Sequence, residues 1–380
     1  MAVSAFGQWV NLTREAPLTN ADDIVNDAAK RNYFFGRLMK NRGADVIRDA
    51  AGQYFVDKIK LTDSGGFINY QPGDERTYSR TNTSKTIQIP FRFHENSTLY
   101  TQAEVMFNDG KDQETIWKNF KRSLMQDLYT AHWNGLESRA WARPDGDIME
   151  PNSATPGLMY SIPAFITENE NGSTPYLAPG WGSQTTLQQV NPGTESNYRN
   201  AVIRYDHTAP YGSSGIFQAM DNMMLTIRFD PPPSKSEYFE NADLNRLMIV
   251  TNKNGVNVYS QGLRESNDQT RAGPQDPSYG KPQFKGIPIE YAAQLDEALL
   301  DETTGVYSGT AYPDGKPRYF FINGNYLFPV FHKSKMMDLV GPIDGGAARP
   351  DTEVLLLDTW CNFVCRSRKR QGIIAPQAAA

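Results

Sequence analysis

The stretch KDQETIWKNFKRSLMQDLYTAHWNGLESRAWA, residues 111–142, carries the strongest helical pattern in the chain. Asp109 can cap the start of a helix here, and Arg139 and Arg143 lie near its end, where the helix dipole favours positive charge. A helix of about 30 residues is on the order of 45 Å long, which indicates a structural strut. We expect one apolar stripe along it, formed by Ile116, Phe120, Leu124, Leu128 and Ala131.

Strand patterns lie on both sides of this helix. Alternating polar and apolar residues predict a strand at 86–93, and apolar residues at 354–364 predict a final strand that pairs near the long helix. A shorter helix is expected to start at Ser213 or Ser214 and to end before three prolines at 231–233. A helical stretch is also expected to reach 267–268, with further strands at 247–252, 287–291, 318–323 and 326–331. This mixture predicts an α+β fold.

The N-terminal part of the chain has the pattern of an arm. Residues 1–18 show no clear period, and Thr19 and Asp22 then offer a capping-box-like start to a helix of about 20 residues. Gly43 is a suitable stop for that helix. We therefore expect an amphipathic helix on a free arm.

A polar stretch, SGGFINYQPGDERTYSRTNTSK at 64–85, separates Ile59 from the strand at 86–93. Its glycines, proline and hydrogen-bonding side chains predict a long two-stranded hairpin. Two strands alone bury too little apolar surface to be stable in water, so the hairpin needs a partner surface, such as another subunit. The side chains expected in that contact are Phe67, Tyr70, Tyr78 and Arg80.

Charge limits the classes of partner. The 380-residue chain has 38 basic and 43 acidic residues and a formal net charge of -5, so any contact with DNA must be local. The only dense cationic cluster consists of Arg366, Arg368, Lys369 and Arg370, with no acidic residue between 361 and 380. These side chains could hold phosphates without sequence preference, or they could be the solvated end of a strand.

The sequence carries no mark of secretion or of a membrane span. Its first residues lack a basic segment followed by an apolar run, and no stretch approaches about 20 apolar residues. Cys361 and Cys365 lie four residues apart on a predicted strand, which puts their Cα atoms beyond disulfide reach. We expect buried free thiols in a protein made in a cytoplasm.

Motifs that resemble catalytic or cofactor sites are incomplete. Asp63-Ser64-Gly65-Gly66 resembles a serine-protease nucleophile, but no histidine precedes His94, and a hairpin turn accounts for the glycines. The stretch GTAYPDGK, 309–316, is one residue too long for a phosphate-binding loop and is followed by Pro317. The four histidines have no metal-ligand spacing. We expect no metal, no cofactor and no catalysis.

A rival reading is a glycosidase, because two distant carboxylates suffice for that chemistry. Asp145 and Asp147 are one such pair, although solvated loop acids are far commoner.

The order of elements resembles that of the major capsid proteins of tailed bacteriophages, which have the Hong Kong 97-type shell fold. Local sequence agrees: Trp181-Gly182-Ser183, Asn191-Pro192 and Tyr198-Arg199-Asn200 look like a succession found in one group of these proteins. The stretch IVTNKNGVNVYSQGLRESND, 249–268, is similar to their axial domain. The ending TWCNFVCRSRKRQGIIAP, 359–376, resembles their last peripheral strand.

The resemblance implies a division of the chain into named parts. These are an N-terminal arm at 1–52, an extended loop at 53–108, a peripheral domain with a spine helix at 109–212, an axial domain at 213–350 and a returning C-terminal strand at 351–380. The segment 143–212 is longer than a minimal family member needs.

The resemblance also implies a shell subunit that assembles into hexamers and pentamers around double-stranded DNA, located in the virion after assembly in the host cytoplasm. Because the arm helix begins near residue 20, it implies a separate scaffolding protein, together with a portal protein. The sequence gives no basis for assigning a covalent crosslink between a lysine and an asparagine. A tail or decoration protein is the alternative within the virion.

Overall fold

The structure is a computed structural model that describes residues 35, 47–48, 52–62, 71, 82–102, 113–142, 158–168, 186–212, 214–227, 247–267, 282–296, 300–301, 306–307, 316–344 and 351–377. For residues 47–48, 113–123, 264–267, 300–301 and 306–307 it describes the backbone only. Most of the predicted arm helix, the hairpin residues Phe67, Tyr70, Tyr78 and Arg80, and the prolines at 231–233 lie outside the described residues.

The described residues form four helices and fifteen strands, which confirms the predicted α+β class. The helices are α1 (Gln113–Ala140), α2 (Ile162–Phe165), α3 (Ile216–Ile227) and α4 (Lys253–Asn267). The first seven strands are β1 (Ile47–Arg48), β2 (Tyr54–Lys60), β3 (Ser84–Pro90), β4 (Arg92–Thr101), β5 (Ala201–Tyr205), β6 (Leu247–Thr251) and β7 (Gln283–Phe284). The others are β8 (Ile287–Tyr291), β9 (Leu300–Asp301), β10 (Val306–Tyr307), β11 (Tyr319–Asn323), β12 (Leu327–His332), β13 (Asp338–Asp344), β14 (Thr352–Cys365) and β15 (Gly372–Pro376). No helix in the described part of the chain is both long and apolar enough to cross a membrane.

The chain divides into two compact units. The first unit comprises residues 1–51, 91–142 and 329–362, and the second comprises 52–90, 143–328 and 363–380. Each unit is therefore built from stretches that are far apart in the sequence.

The first unit packs α1 against a sheet. The strand order of that sheet is β1-β12-β14-β13, and β4 also pairs with β14. Asn96 on β4 donates to the Leu128 carbonyl of α1 over 3.3 Å, and the His132 ring of α1 lies 2.9 Å from the Thr359 hydroxyl of β14. The long helix thus covers one face of the sheet, as the predicted pairing of the final strand requires.

The buried face of α1 differs from the predicted stripe. Ala131 is exposed and Leu124 is only half-buried, whereas the helix buries a wider face that includes polar side chains. That face consists of Met125, Leu128, Tyr129, His132, Trp133, Leu136, Glu137 and Ala140. The prediction missed it because it followed a single line of side chains, whereas the helix buries a wider arc in which His132 and Glu137 have hydrogen-bond partners inside the unit. The predicted Leu128 is buried, and the side chains of Ile116 and Phe120 lie outside the described residues.

The second unit contains a mixed six-stranded sheet with the order β5-β15-β11-β6-β8-β7. Its C-terminal strand β15 lies between β5, to which it is parallel, and β11, to which it is antiparallel. Helix α3 packs on β5 and β15, and α4 packs on β6 and β8. Met220, Met223, Ile249 and Phe321 belong to the core cluster that these elements share.

The strand predicted at 86–93 is in fact two strands. β3 ends at Pro90 and β4 begins at Arg92, and the two belong to different units. Proline lacks the N–H that a continuing ladder needs, so the pairing partner changes at this point. β3 pairs with β2 and β4 pairs with β14.

Candidate assembly surface

The sheet of the first unit has one face that its helix does not cover. Side chains alternate along β4, so that His94, Asn96 and Tyr100 point towards the helix side and their neighbours point away. Three apolar side chains on the uncovered face are exposed: Phe93 by 63%, Leu99 by 51% and Ile343 by 43%. We call this the open sheet face.

Strand register arranges the open sheet face in rows. Leu99 lies opposite Val354, which lies opposite Ile343, and Ser97, Leu356 and Val340 form the next row. A third row is acidic, with Glu95, Asp358 and Asp338, and Lys335 lies 2.5 Å from Asp338. At the end, the Phe93 and Trp360 rings meet edge to face with their centroids 4.7 Å apart. The face is thus apolar with one acidic band.

Two histidines, the buried His132 and the half-buried His94, support this sheet from the helix side. His132 of α1 lies 2.9 Å from the Thr359 Oγ1 atom, which also accepts the Met337 N–H over 3.2 Å. His94 is the cross-strand neighbour of Thr359. Burial lowers the pKa of both histidines to about 4, and for His94 the charges of His132, Arg139 and Arg92 add to this effect. Both rings are therefore neutral at physiological pH.

The second unit carries the base of the predicted hairpin. β2 and β3 pair antiparallel from Tyr54 opposite Pro90 to Lys60 opposite Ser84. One face of this ribbon is buried within the unit and the other exposes Val56 by 56% and Tyr54 by 37%. The buried side chains are Phe55, Ile59, Ile87 and Ile89. The base therefore has its partner surface in its own chain.

Polar contacts fix the ribbon base within the second unit. Asp57 of β2 and Arg366 are joined by an ion pair of 2.6 Å, and Lys85 of β3 pairs with Glu195 over 2.5 Å. The Asn197 amide donates to the Leu61 carbonyl at the point where β2 ends, over 2.9 Å. These contacts fix the positions of β2 and β3 within the second unit.

Arg368, from the predicted DNA-facing cluster, is fully buried. Its guanidinium donates to the Phe165 carbonyl at 2.8 Å, the Tyr198 carbonyl at 3.4 Å and the Asn200 Oδ1 atom at 3.0 Å. It also stacks on the Tyr198 ring at 5.7 Å. A guanidinium held in this socket cannot reach a phosphate at the surface, so Arg368 is a structural residue of the folded unit.

The other three members of the cluster lie nearer the surface. Arg366 pairs with Asp57 and lies 5.2 Å from the centre of the Phe328 ring, and Arg370 donates to the Ile227 carbonyl over 3.4 Å. Lys369 is exposed and donates to Asn197. The short 3-10 helix Arg368–Arg370 thus buries the Arg368 side chain and exposes the Lys369 side chain.

The Tyr198-Arg199-Asn200 motif builds the Arg368 socket. Asn200 accepts from Arg368 and donates to the Thr167 carbonyl over 2.8 Å. Arg199 donates to the carbonyls of Pro192 and Gly193, which holds the turn at 191–195. The sequence shows these residues as a motif, but their common role depends on Arg368, which follows them by about 170 residues.

The remaining candidate sites concern metal ligands, thiols and the incomplete catalytic motifs. No group of three metal-binding side chains is found there. Cys361 and Cys365 are free and buried, as predicted, and burial raises the pKa of both thiols, that of Cys365 to about 12. Ser64, Asp145, Asp147 and the stretch 309–315 lie outside the described residues.

Comparison with solved structures identifies the fold. The chain is similar to a chain of the capsid asymmetric unit of cyanophage A-1(L), with a TM-score of 0.53 and 12% identity over 89% of this chain and 92% of that chain. It also matches the mature capsid of bacteriophage PhiM1, with a TM-score of 0.48 and 9% identity over 88% of this chain and 85% of that chain. A scan against protein-family models and a search of curated proteins find no match. The cyanophage likeness shows that this chain has the fold of a phage capsid subunit, as its element order predicts.

Proposed function

We propose that this protein is the major capsid protein of a tailed phage and that it self-assembles into the icosahedral shell around double-stranded DNA. The observation that carries the proposal is the likeness to the cyanophage capsid chain, because it extends over nine-tenths of both chains. The parts of the chain then act as N-terminal arm, extended loop, peripheral domain and axial domain.

The open sheet face is the first contact surface of the proposed shell. An exposed apolar sheet face marks an interaction site, because isolated proteins rarely expose such surfaces. We assign it to the extended loop of a neighbouring copy. The exposed side of the ribbon base supports this assignment, since it combines Tyr54 and Val56 with Lys58 and Lys60, which match the apolar rows and the acidic band.

The tip of the loop supplies the rest of that contact in this proposal. Phe67, Tyr70, Tyr78 and Arg80 are aromatic and arginine side chains, the types enriched at the centres of protein interfaces. The ion pairs at the ribbon base support the same idea, because they hold the loop to one subunit and leave its tip for another.

Packaged DNA is the second partner in the proposal. Lys369 is its main contact, and Arg366 and Arg370 add positive charge beside it. Such a contact would be non-specific and sensitive to salt, because it neutralises phosphates without reading bases. Hexamers and pentamers of the subunit, a separate scaffolding protein and a portal protein complete the proposed assembly, which forms in the host cytoplasm and becomes part of the virion.

Size-exclusion chromatography and negative-stain electron microscopy of the recombinant full chain test this function. We expect megadalton shells, or rings of five and six copies, on addition of a scaffolding protein or at high concentration. In intact shells Lys369 should be shielded from an amine reagent coupled to a protein too large to enter, and it should react after dissociation. A stable monomer that hydrolyses glycosidic bonds would favour the glycosidase reading, and a tube or a cap on other shells would favour a tail or decoration protein.

A further inference from the structure

Within the described part of the chain, the backbone of β4 is paired along one of its two edges, the edge that faces β14. The Gln102 N–H donates to the Asp351 carbonyl over 2.9 Å, and the register places these two residues directly opposite each other. In an antiparallel ladder, hydrogen-bonded pairs alternate with non-hydrogen-bonded pairs. The even-numbered residues of β4 therefore bond to β14. The N–H and C=O groups of Phe93, Glu95, Ser97 and Leu99 point away from it.

This outer edge of β4 is open. Within the described part of the chain, the backbone groups of Phe93, Glu95, Ser97 and Leu99 have no further hydrogen-bond partner. The side chains of the same four residues are all exposed. An exposed strand edge with apolar side chains is a template for another strand.

The β13 edge of the sheet is protected. β13 contains Pro342, which has no N–H to offer, and its register with β14 shifts between Val340 and Ile343. Asp338 and Asp344 place charges at its two ends. Prolines, bulges and charges are the features that prevent edge-to-edge pairing. Of the β4 and β13 edges, the β4 edge is thus the one without these protective features among its described residues.

We propose that the outer edge of β4 pairs antiparallel with the β4 edge of a second copy, across a two-fold axis at Asn96. In this register Phe93 lies opposite Leu99 and Glu95 lies opposite Ser97, in both directions. Each outward-facing pair exchanges two hydrogen bonds, which gives about eight across the axis. A two-fold contact of this kind needs only one self-complementary surface.

Side-chain chemistry selects this register over its neighbours. Moving the axis to Glu95 would place two carboxylates directly opposite each other, which destabilises a strand pair. Moving it to Ser97 would place Glu95 opposite Leu99 on both sides. With the axis at Asn96, the apolar Phe93 lies opposite the apolar Leu99, and the two Glu95 carboxylates do not face each other. The hydrogen bonds of this contact use the backbone edge of β4, whereas the proposed loop contact uses side chains of the open sheet face. Phe93, Glu95 and Leu99 belong to both, so dimers and shells are measured separately.

Cysteine crosslinking of the full chain tests the contact and its register. With the axis at Asn96, residues 95 and 97 of two copies have Cα atoms about 5.5 Å apart, within disulfide reach. The double variant Glu95→Cys/Ser97→Cys should give covalent dimers under mild oxidation on a non-reducing gel. Glu95→Cys or Ser97→Cys alone should not, because like positions lie about 7–8 Å apart or more. The native thiols are buried and give no background.

Each result decides the proposal. Absence of dimers in the double variant would overturn the contact, and dimers from a single variant would overturn the register. Ile343→Cys, on the protected edge, is the matched control and should remain monomeric on the gel. A second variant, Leu99→Lys, should reduce crosslinking of the double variant severalfold, because it puts a charge opposite Phe93. Electron microscopy of the same samples reads shell formation separately, so that shells without dimers would reject the edge contact alone.

Discussion

At the scale of single residues, Arg368 is the buried member of the C-terminal cationic cluster, and its hydrogen bonds stabilise the fold. Its burial lowers its pKa by desolvation, yet three oxygen acceptors and the Tyr198 ring compensate the charge. Buried guanidinium groups persist only where their donors are satisfied in this way. Arg368 therefore joins the C-terminal segment to α2 and to the 198–200 motif within the second unit.

Arg368→Ala should destabilise the folded subunit by roughly 3 kcal/mol or more, because it leaves buried acceptors without a donor and creates a cavity. Urea unfolding of dispersed subunits measures this as a lower transition midpoint. Lys369→Ala is the matched control, and a change of less than about 0.5 kcal/mol is expected for that exposed side chain. Equal midpoints for the two variants would contradict the structural role of Arg368.

At the scale of elements, the packing of α1 on its sheet depends on neutral histidines. His94 and His132 lie on either side of Thr359, and the charged groups around them are Arg92, Arg139 and Asp358. The unfolded chain takes up protons near pH 6.5, whereas the folded pKa of each histidine is about 4. The free energy of unfolding is therefore highest above pH 6.5 and decreases as the pH falls from 6.5 towards 4.

The free energy of unfolding should decrease by up to about 3 kcal/mol per histidine between pH 6.5 and pH 4, since one pKa unit corresponds to about 1.4 kcal/mol. His132→Gln should flatten this part of the pH profile in urea unfolding. His207→Gln, which removes a histidine outside the cluster, should retain the full slope. An unchanged slope in His132→Gln would show that α1 tolerates a charged ring.

At the scale of the whole molecule, the surfaces that hold the subunit together differ from the surfaces that we assign to assembly. The ribbon base is buried and ion-paired within the second unit, and the open sheet face and the β4 edge belong to the first. In the proposed shell, many such contacts, each modest, add up to a strong closed assembly. A subunit should therefore fold without assembling if only its outward contacts are removed.

Deleting residues 64–84 should leave a soluble, folded subunit that forms no shells. The base strands keep their buried face and the Asp57–Arg366 pair, whereas the loop tip is lost. Circular dichroism and urea unfolding measure folding, and electron microscopy measures assembly. The full-length triple variant Phe67→Ser/Tyr70→Ser/Tyr78→Ser is the matched control for chain length. Normal shells from the deletion variant would contradict the role of the loop.

The sequence by itself determined the class and order of the elements. Helical periodicity predicted α1 to within two residues at each end, and apolar runs predicted β6, β8, β11, β12 and β14, because these patterns are local. Spacing also predicted two free buried thiols. The overall order was sufficient to indicate a capsid fold, since that fold is defined by how its elements follow one another.

Only the tertiary structure decided which residues meet. Arg368 looks like a surface cation beside Lys369 in the sequence, and its burial follows from acceptors that come from residues 165, 198 and 200. Similarly, β4 shows an ordinary alternating pattern, and its open edge appears only because β14 pairs with the other one. Burial and strand pairing join residues that are distant in the chain, whereas sequence patterns record only neighbours.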